Sequence, residues 1–117
     1  MSPLTITTRD AATGPVLEIT GDLDYETAPE LRKAVDGVTV DVGQLLVLDL
    51  AGLDFCDSSG ISALLSARNA AIENGGHIAL TAVPANTARI LGIVGLDQVF
   101  SLYPDAATAT GRSSAAR

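Results

Sequence analysis

The sequence contains few of the residues that carry catalysis, metal binding or cross-linking. Its 117 residues include no tryptophan, and cysteine and histidine occur once each. The single cysteine, Cys56, allows no internal disulfide, and one cysteine with one histidine cannot form a standard zinc site. No uncharged apolar run approaches the roughly 18 residues of a membrane helix, and no signal peptide is recognisable. We therefore expect a cytoplasmic protein with no cofactor and no metal.

Positive charge is also scarce. Seven Lys and Arg stand against 14 Asp and Glu, which gives a formal net charge of −7. Such a surface repels nucleic acid and anionic membranes, and it either favours a partner with a basic patch or only keeps the protein soluble. Aromatic residues are 3% of the chain whereas hydrophobic residues are 47%. A single domain with a core of Val, Leu, Ile and Ala is expected.

Apolar periodicity predicts an α/β fold, with a mixed sheet of about five strands and helices mainly on one face. The predicted elements are strands at 4–9 and 15–20, a helix at 27–36, a strand at 45–50, a helix at 59–73, a strand at 77–83, a helix at 87–94 and a strand at 99–103. Helical turns at 105–109 and a frayed tail at 111–117 complete the single domain. In the helix at 59–73 the expected inward stripe is Ile61, Leu64, Leu65, Arg68 and Ile72.

The junction between the third strand and the second helix is the candidate functional site. Asp57, Ser58 and Ser59 are all residue types that cap helix N-termini, and the sequence leaves open which of them does so. Gly60 follows directly and is expected to leave open space beside the hydroxyls. If strands two and three are neighbours, the acidic residues at their ends form one acidic surface; these are Asp22, Asp24, Glu26, Asp54 and Asp57.

A phosphate on Ser58 has a clear physical consequence at such a junction. It adds about −1.5 to −2 charges, which the positive end of a helix dipole and its free N–H groups can tolerate. A partner that contacts the neutral hydroxyl would instead meet charge repulsion. The segment therefore favours a switchable protein-binding surface.

Several segments together resemble the anti-sigma factor antagonists, the stand-alone bacterial form of the STAS domain. They are LEITGDLD at 17–24, LDL at 48–50, DSSG at 57–60, GG at 75–76 and LGIVGL at 91–96. The resemblance covers about 4–103 and implies the STAS fold. It also implies that an anti-sigma factor, itself a serine kinase, phosphorylates Ser58, with Ser59 as the alternative.

The same resemblance implies a partner switch. The unphosphorylated form binds the anti-sigma factor and so frees the sigma factor, and a PP2C-type phosphatase reverses the modification. The predicted partner surface comprises Ser58, Ser59, Gly60 and the four aspartates Asp22, Asp24, Asp54 and Asp57; the resemblance places Asp24 at a family position near the partner. A constitutive subunit of a stress-signalling complex or of a transporter-associated ATPase assembly is the alternative function.

Other functions find little support in the sequence. A hydrolase with Ser58 as its nucleophile needs a base, yet His77 opens a strand and no Gly-x-Ser-x-Gly elbow is present. Neither glycine-rich phosphate loop of the nucleotide-binding folds occurs. Cys56 could be a redox sensor, but beside Phe55 it is more readily explained as a buried apolar group. We therefore expect a binding protein rather than an enzyme.

Overall fold

A computed structural model describes residues 3–110, and the predicted tail at 111–117 lies outside the described residues. The strands are β1 (Thr5–Ala11), β2 (Gly14–Leu23), β3 (Leu45–Cys56), β4 (His77–Thr81) and β5 (Ser101–Tyr103). The helices are α1 (Ala28–Asp36), α2 (Ser58–Glu73), α3 (Ala85–Ile93) and α4 (Ala106–Ala109), with a single 3₁₀ turn at Leu96–Gln98. The predicted α/β class is confirmed.

The five strands form one mixed sheet in the order β1-β2-β3-β4-β5. β1 and β2 form the predicted antiparallel hairpin, whereas the remaining neighbours are parallel. Parallel neighbours need a crossover, and α1, α2 and α3 provide these connections. Consequently β2, β3 and β4 all point their carboxyl ends toward the same edge of the sheet.

β3 is the centre of the structure, as its nearly continuous apolar run predicted. Leu46, Leu48 and Leu50 point to one face, where they join a core that includes Leu31 of α1 and Leu64 of α2. Alternate side chains of a strand face opposite sides. Val47 accordingly packs on the other face, in a smaller cluster with Ala109 of α4. The expectation that helices gather mainly on one face is confirmed.

The predicted inward stripe of α2 is wrong in part. Ile61 and Leu64 are buried, but Ile72 is 47% exposed, and Ala63, Ala67 and Ala71 are buried in its place. The three alanines recur every four residues, so they lie on one side of the helix. Their small side chains let the helix backbone approach the sheet closely, which leaves the larger Ile72 at the rim.

Several boundaries also differ from the sequence expectation. The sequence predicts that the second strand ends at residue 20, but β2 continues to Leu23. Gly21 makes this possible with a φ of 103°, at a point where a Cβ atom would collide with the Pro3 carbonyl. β3 likewise runs to Cys56, and β4 ends early at Thr81 because Ala82 turns the chain with a φ of 51°.

Candidate functional site

The ends of β2 and β3 lie side by side. The register pairs Asp22 with Phe55 and Leu23 with Cys56, so both strands finish at the same level of the sheet. The loop that holds Asp24 and the turn that holds Asp57 therefore adjoin. The predicted adjacency is confirmed, and the candidate acidic residues are brought to one edge. Asp54 is exposed there, whereas Asp22, Asp24 and Asp57 are half-buried.

Asp57 is the residue that caps α2. Its carboxylate Oδ1 accepts a hydrogen bond from the backbone N–H of Gly60 at 2.9 Å. Its own backbone N–H donates to the Leu23 carbonyl oxygen at 3.2 Å, which ties the helix start to the end of β2. An aspartate cap also places a negative charge at the positive end of the helix dipole.

The two serines are consequently not needed for capping. Ser58 is the first residue of α2 and is exposed, while Ser59 is half-buried. The backbone N–H groups of the first helical residues have no partner within the helix. The hydroxyl of Ser58 thus stands in solvent beside free amide donors and an aspartate.

The expectation that Gly60 leaves open space is wrong. Gly60 is buried, and a Cβ atom there would lie 2.5 Å from the Leu23 carbonyl oxygen and 2.7 Å from Cys56 Sγ. The glycine is required because the first turn of α2 packs directly on the ends of β2 and β3. Its role in this geometry is to hold Ser58 at a fixed height above the sheet.

Asp24 organises the loop between β2 and α1. Its Oδ1 accepts hydrogen bonds from the backbone N–H groups of Glu26 at 3.0 Å and Thr27 at 3.1 Å. The Thr27 hydroxyl in turn accepts a hydrogen bond from the Asp24 N–H at 2.9 Å and donates one to the Asp22 carbonyl oxygen at 2.8 Å. This network fixes the loop that faces the start of α2.

Ser58 and Ser59 border different depressions of the surface. Ser58 lines an apolar groove of about 330 Å³ between α2 and α3, together with Ile61, Ile90 and Val94. Ser59 lines a more polar groove of about 630 Å³ between α2 and α1, whose walls are Tyr25, Glu26, Ala28, Pro29, Arg32 and Ser62. Sequence reasoning did not identify either groove, because each joins residues from separate helices.

Two of the four aromatic residues of the chain are exposed at this edge. Tyr25 is 79% exposed in the loop after β2, and Phe55 is 53% exposed near the end of β3. Aromatic side chains are enriched in protein interfaces relative to the rest of the surface. The sequence could have indicated these two aromatic residues as part of the candidate surface, because each one directly follows a candidate aspartate.

Cys56 is a buried apolar group, as one of the two interpretations held. Its side chain is 6% exposed and belongs to the main core. Burial, with a contribution from the charge of Asp57, raises the pKa of the Cys56 thiol to about 12. The thiol is therefore protonated at neutral pH, and a protonated thiol is a poor nucleophile and a poor metal ligand.

His77 cannot serve Ser58 as a base. It pairs with Leu45 at the start of β3, whereas Ser58 follows the far end of that 12-residue strand. At about 3.3 Å per residue the two side chains are roughly 35 Å apart. A general base must lie within hydrogen-bonding distance of the hydroxyl it activates.

Between residues 3 and 110, no three His, Cys, Asp or Glu side chains are grouped so that they could hold a metal ion. Over the same range, no helix is both long enough and apolar enough to cross a membrane.

Comparison with known proteins places this geometry in a family. A model of the STAS domain matches residues 4–109. The anti-sigma-F factor antagonist RsfB of Mycobacterium tuberculosis is 32% identical over 100 residues, which cover 86% of this chain and 81% of RsfB.

Solved structures agree with the sequence comparison. An anti-sigma factor antagonist from Mycobacterium paratuberculosis is 30% identical, with a TM-score of 0.79 over 91% of this chain and 90% of that one. Unphosphorylated SpoIIAA shares the fold at 17% identity, with a TM-score of 0.75 over 95% and 97% of the two chains. The chain belongs to the STAS domain family, and the predicted resemblance to its anti-sigma factor antagonists is confirmed.

Proposed function

We propose that this protein is an anti-sigma factor antagonist controlled by phosphorylation of Ser58. In this proposal the unphosphorylated protein binds an anti-sigma factor that is also a serine kinase, and the sigma factor is released. The names of the similar proteins from two mycobacteria support the antagonist role. The protein acts in the cytoplasm by binding and catalyses no reaction itself.

One observation carries the choice of Ser58. Its hydroxyl is exposed on the first residue of α2, while the neighbouring Asp57 already satisfies the cap. A kinase can reach the hydroxyl without disturbing any hydrogen bond that holds the fold. Ser59, the alternative, is half-buried beside α1 and is the less accessible of the two.

The same geometry explains how a phosphate could act without unfolding the domain. The kinase transfers the γ-phosphoryl group of ATP to Ser58 Oγ, which loses its proton while ADP leaves, and a PP2C-type phosphatase hydrolyses the ester to serine and inorganic phosphate. The phosphate gains from the helix dipole and from free N–H groups, so the folded state tolerates it. A bound partner would have to lie against a dianion among four aspartates, and its binding is weakened.

The acidic edge and the exposed aromatic residues support a protein partner. Asp22, Asp24, Asp54 and Asp57 favour a partner surface that carries Lys or Arg. Tyr25 and Phe55 offer apolar area next to these charges. An interface of this composition combines electrostatic steering with buried aromatic contacts.

Intact-mass spectrometry tests the proposal. The protein is incubated with ATP and each anti-sigma kinase of the same genome, and peptide mapping then locates any phosphate. One phosphate on Ser58, lost in Ser58→Ala and kept in Ser59→Ala, is the expected result. Stable binding to a kinase without phosphate transfer would favour the constitutive subunit instead. A phosphate on Ser59 alone would overturn the assignment of Ser58.

A further inference from the structure

The groove beside Ser58 is an apolar depression that residues 3–110 leave unfilled. Its walls are Ile61, Ile90, Val94 and Leu96, and Asp57 and Ser58 stand among the residues that line it. Val94 is 55% exposed and Ile90 is 36% exposed, so one side of the groove is open to solvent. Exposed aliphatic side chains grouped around a concave surface are typical of an interaction site.

The volume and charge of the groove limit what can occupy it. A depression of about 330 Å³ has room for one or two large side chains presented by another protein. Asp57 is the charged residue among those that line it, and the chain as a whole carries a formal charge of −7. An apolar side chain flanked by Lys or Arg matches both properties, because its neighbours can face the acidic rim.

We propose that this groove receives an apolar side chain of the anti-sigma kinase, carried by a segment with Lys or Arg beside it. The inference rests on the proposed function and adds the part of the surface that supplies the apolar contact. The groove is continuous with the phosphorylation site, since Ser58 itself lines it. A kinase segment seated there lies directly against the hydroxyl that is modified.

In this arrangement a phosphate on Ser58 acts directly on binding in the apolar groove. A phosphate on Ser58 places a hydrated dianion on the rim of the apolar groove, and seating the partner then requires its partial desolvation. A phosphate on Ser59 would enter the other groove, where Arg32 is among the lining residues. The two adjacent serines therefore differ in effect: the charge on Ser58 blocks the apolar groove and the charge on Ser59 leaves it open.

Isothermal titration calorimetry with the kinase that phosphorylates Ser58 tests the inference, in the presence of a non-hydrolysable ATP analogue. The test variant is Ile90→Gln/Val94→Gln, which removes apolar area without adding charge. The matched control is Val42→Gln, because Val42 is 83% exposed in the loop before β3, at the opposite end of the sheet. Circular dichroism and urea unfolding check that each variant is folded.

We expect the double variant to bind at least about 10-fold more weakly, because it loses two aliphatic side chains that the partner would bury. The control should bind within about 2-fold of the wild type. A further pair of variants, Ser58→Asp and Ser59→Asp, should also differ in affinity for the kinase, with the larger loss for Ser58→Asp.

The outcomes separate the inference from the proposed function. Equal binding by the wild type and the folded double variant would overturn the groove as the docking site and leave the antagonist function intact. Equal losses in the double variant and in Val42→Gln would also overturn it. If the wild type binds no kinase and receives no phosphate, the proposed function fails and the inference fails with it.

Discussion

Replacement of two helical glycines by alanine should change the free energy of unfolding in opposite directions. Gly60 lies in the first turn of α2, and Gly92 lies near the end of α3. A Gly→Ala change in a helix usually stabilises by about 0.4–1 kcal/mol, because it restricts the unfolded chain. At Gly92 nothing opposes this gain, since the nearest atom to a new Cβ is Asp97 Oδ2 at 3.8 Å.

At Gly60 the new methyl group meets atoms that cannot easily move. The Leu23 carbonyl oxygen would lie 2.5 Å away, and Leu23 Cγ would lie 2.9 Å away. That carbonyl also accepts the hydrogen bond from the Asp57 N–H that fixes the helix start. Overpacking of this kind costs about 1–3 kcal/mol, which exceeds the conformational gain. We therefore expect Gly60→Ala to lower the free energy of unfolding by about 1–2 kcal/mol.

Urea unfolding followed by circular dichroism measures both variants. For an m-value of about 1.5 kcal/mol/M, the midpoint of Gly60→Ala should fall by roughly 1 M, while that of Gly92→Ala should rise by up to about 0.7 M. Unchanged m-values would show that stability alone has changed. A Gly60→Ala midpoint equal to or above that of the wild type would refute the argument that close packing requires this glycine.

Three further predictions concern the same junction. Asp57→Ala should cost about 1 kcal/mol of unfolding free energy in urea, because the Gly60 N–H loses its cap; no change would contradict the capping geometry. Ser58→Asp should stay within about 0.5 kcal/mol of the wild type, since the helix dipole offsets repulsion by Asp57. The pKa of Cys56 is about 12 when folded and near 8.5 when unfolded, so its stabilising contribution is full below about pH 8.5 and falls as pH rises toward 12. The stability advantage of the wild type over Cys56→Ala should therefore shrink between pH 8.5 and 10.5, and a constant difference would argue against burial of the thiol.

Much of the fold could be predicted because the chain follows simple periodicities. Alternation in β1 and β2, and the apolar run of β3, identified the hairpin and the central strand. The stripe of α2 was wrong in part for a physical reason: a pattern search favours large apolar residues such as Ile72. The close contact with the sheet instead required the small residues Ala63, Ala67 and Ala71.

The candidate site was predictable in composition but not in its contacts. The segment from Asp57 to Gly60 could be identified from residue types alone, because three capping residues in a row exceed what one helix needs. Which of them caps α2 depends on where β2 ends, because the Leu23 carbonyl oxygen accepts the hydrogen bond from the Asp57 N–H. The two grooves could not be predicted, because each combines α2 with a helix about 30 residues away in sequence.

Different residues at the start of α2 hold the fold and carry the proposed modification, so phosphorylation of Ser58 is expected to change binding and leave the fold unchanged. Asp57 holds the helix N-terminus and Gly60 fixes its height on the sheet, so the structural requirements are met by the residues on either side of the serines. Ser58 is then free to carry a hydroxyl or a phosphate at little structural cost. If Ser58 were itself the cap, its phosphorylation would disturb the helix, and binding and stability would change together. Because the cap is separate, Ser58→Asp should weaken binding while the free energy of unfolding stays close to that of the wild type.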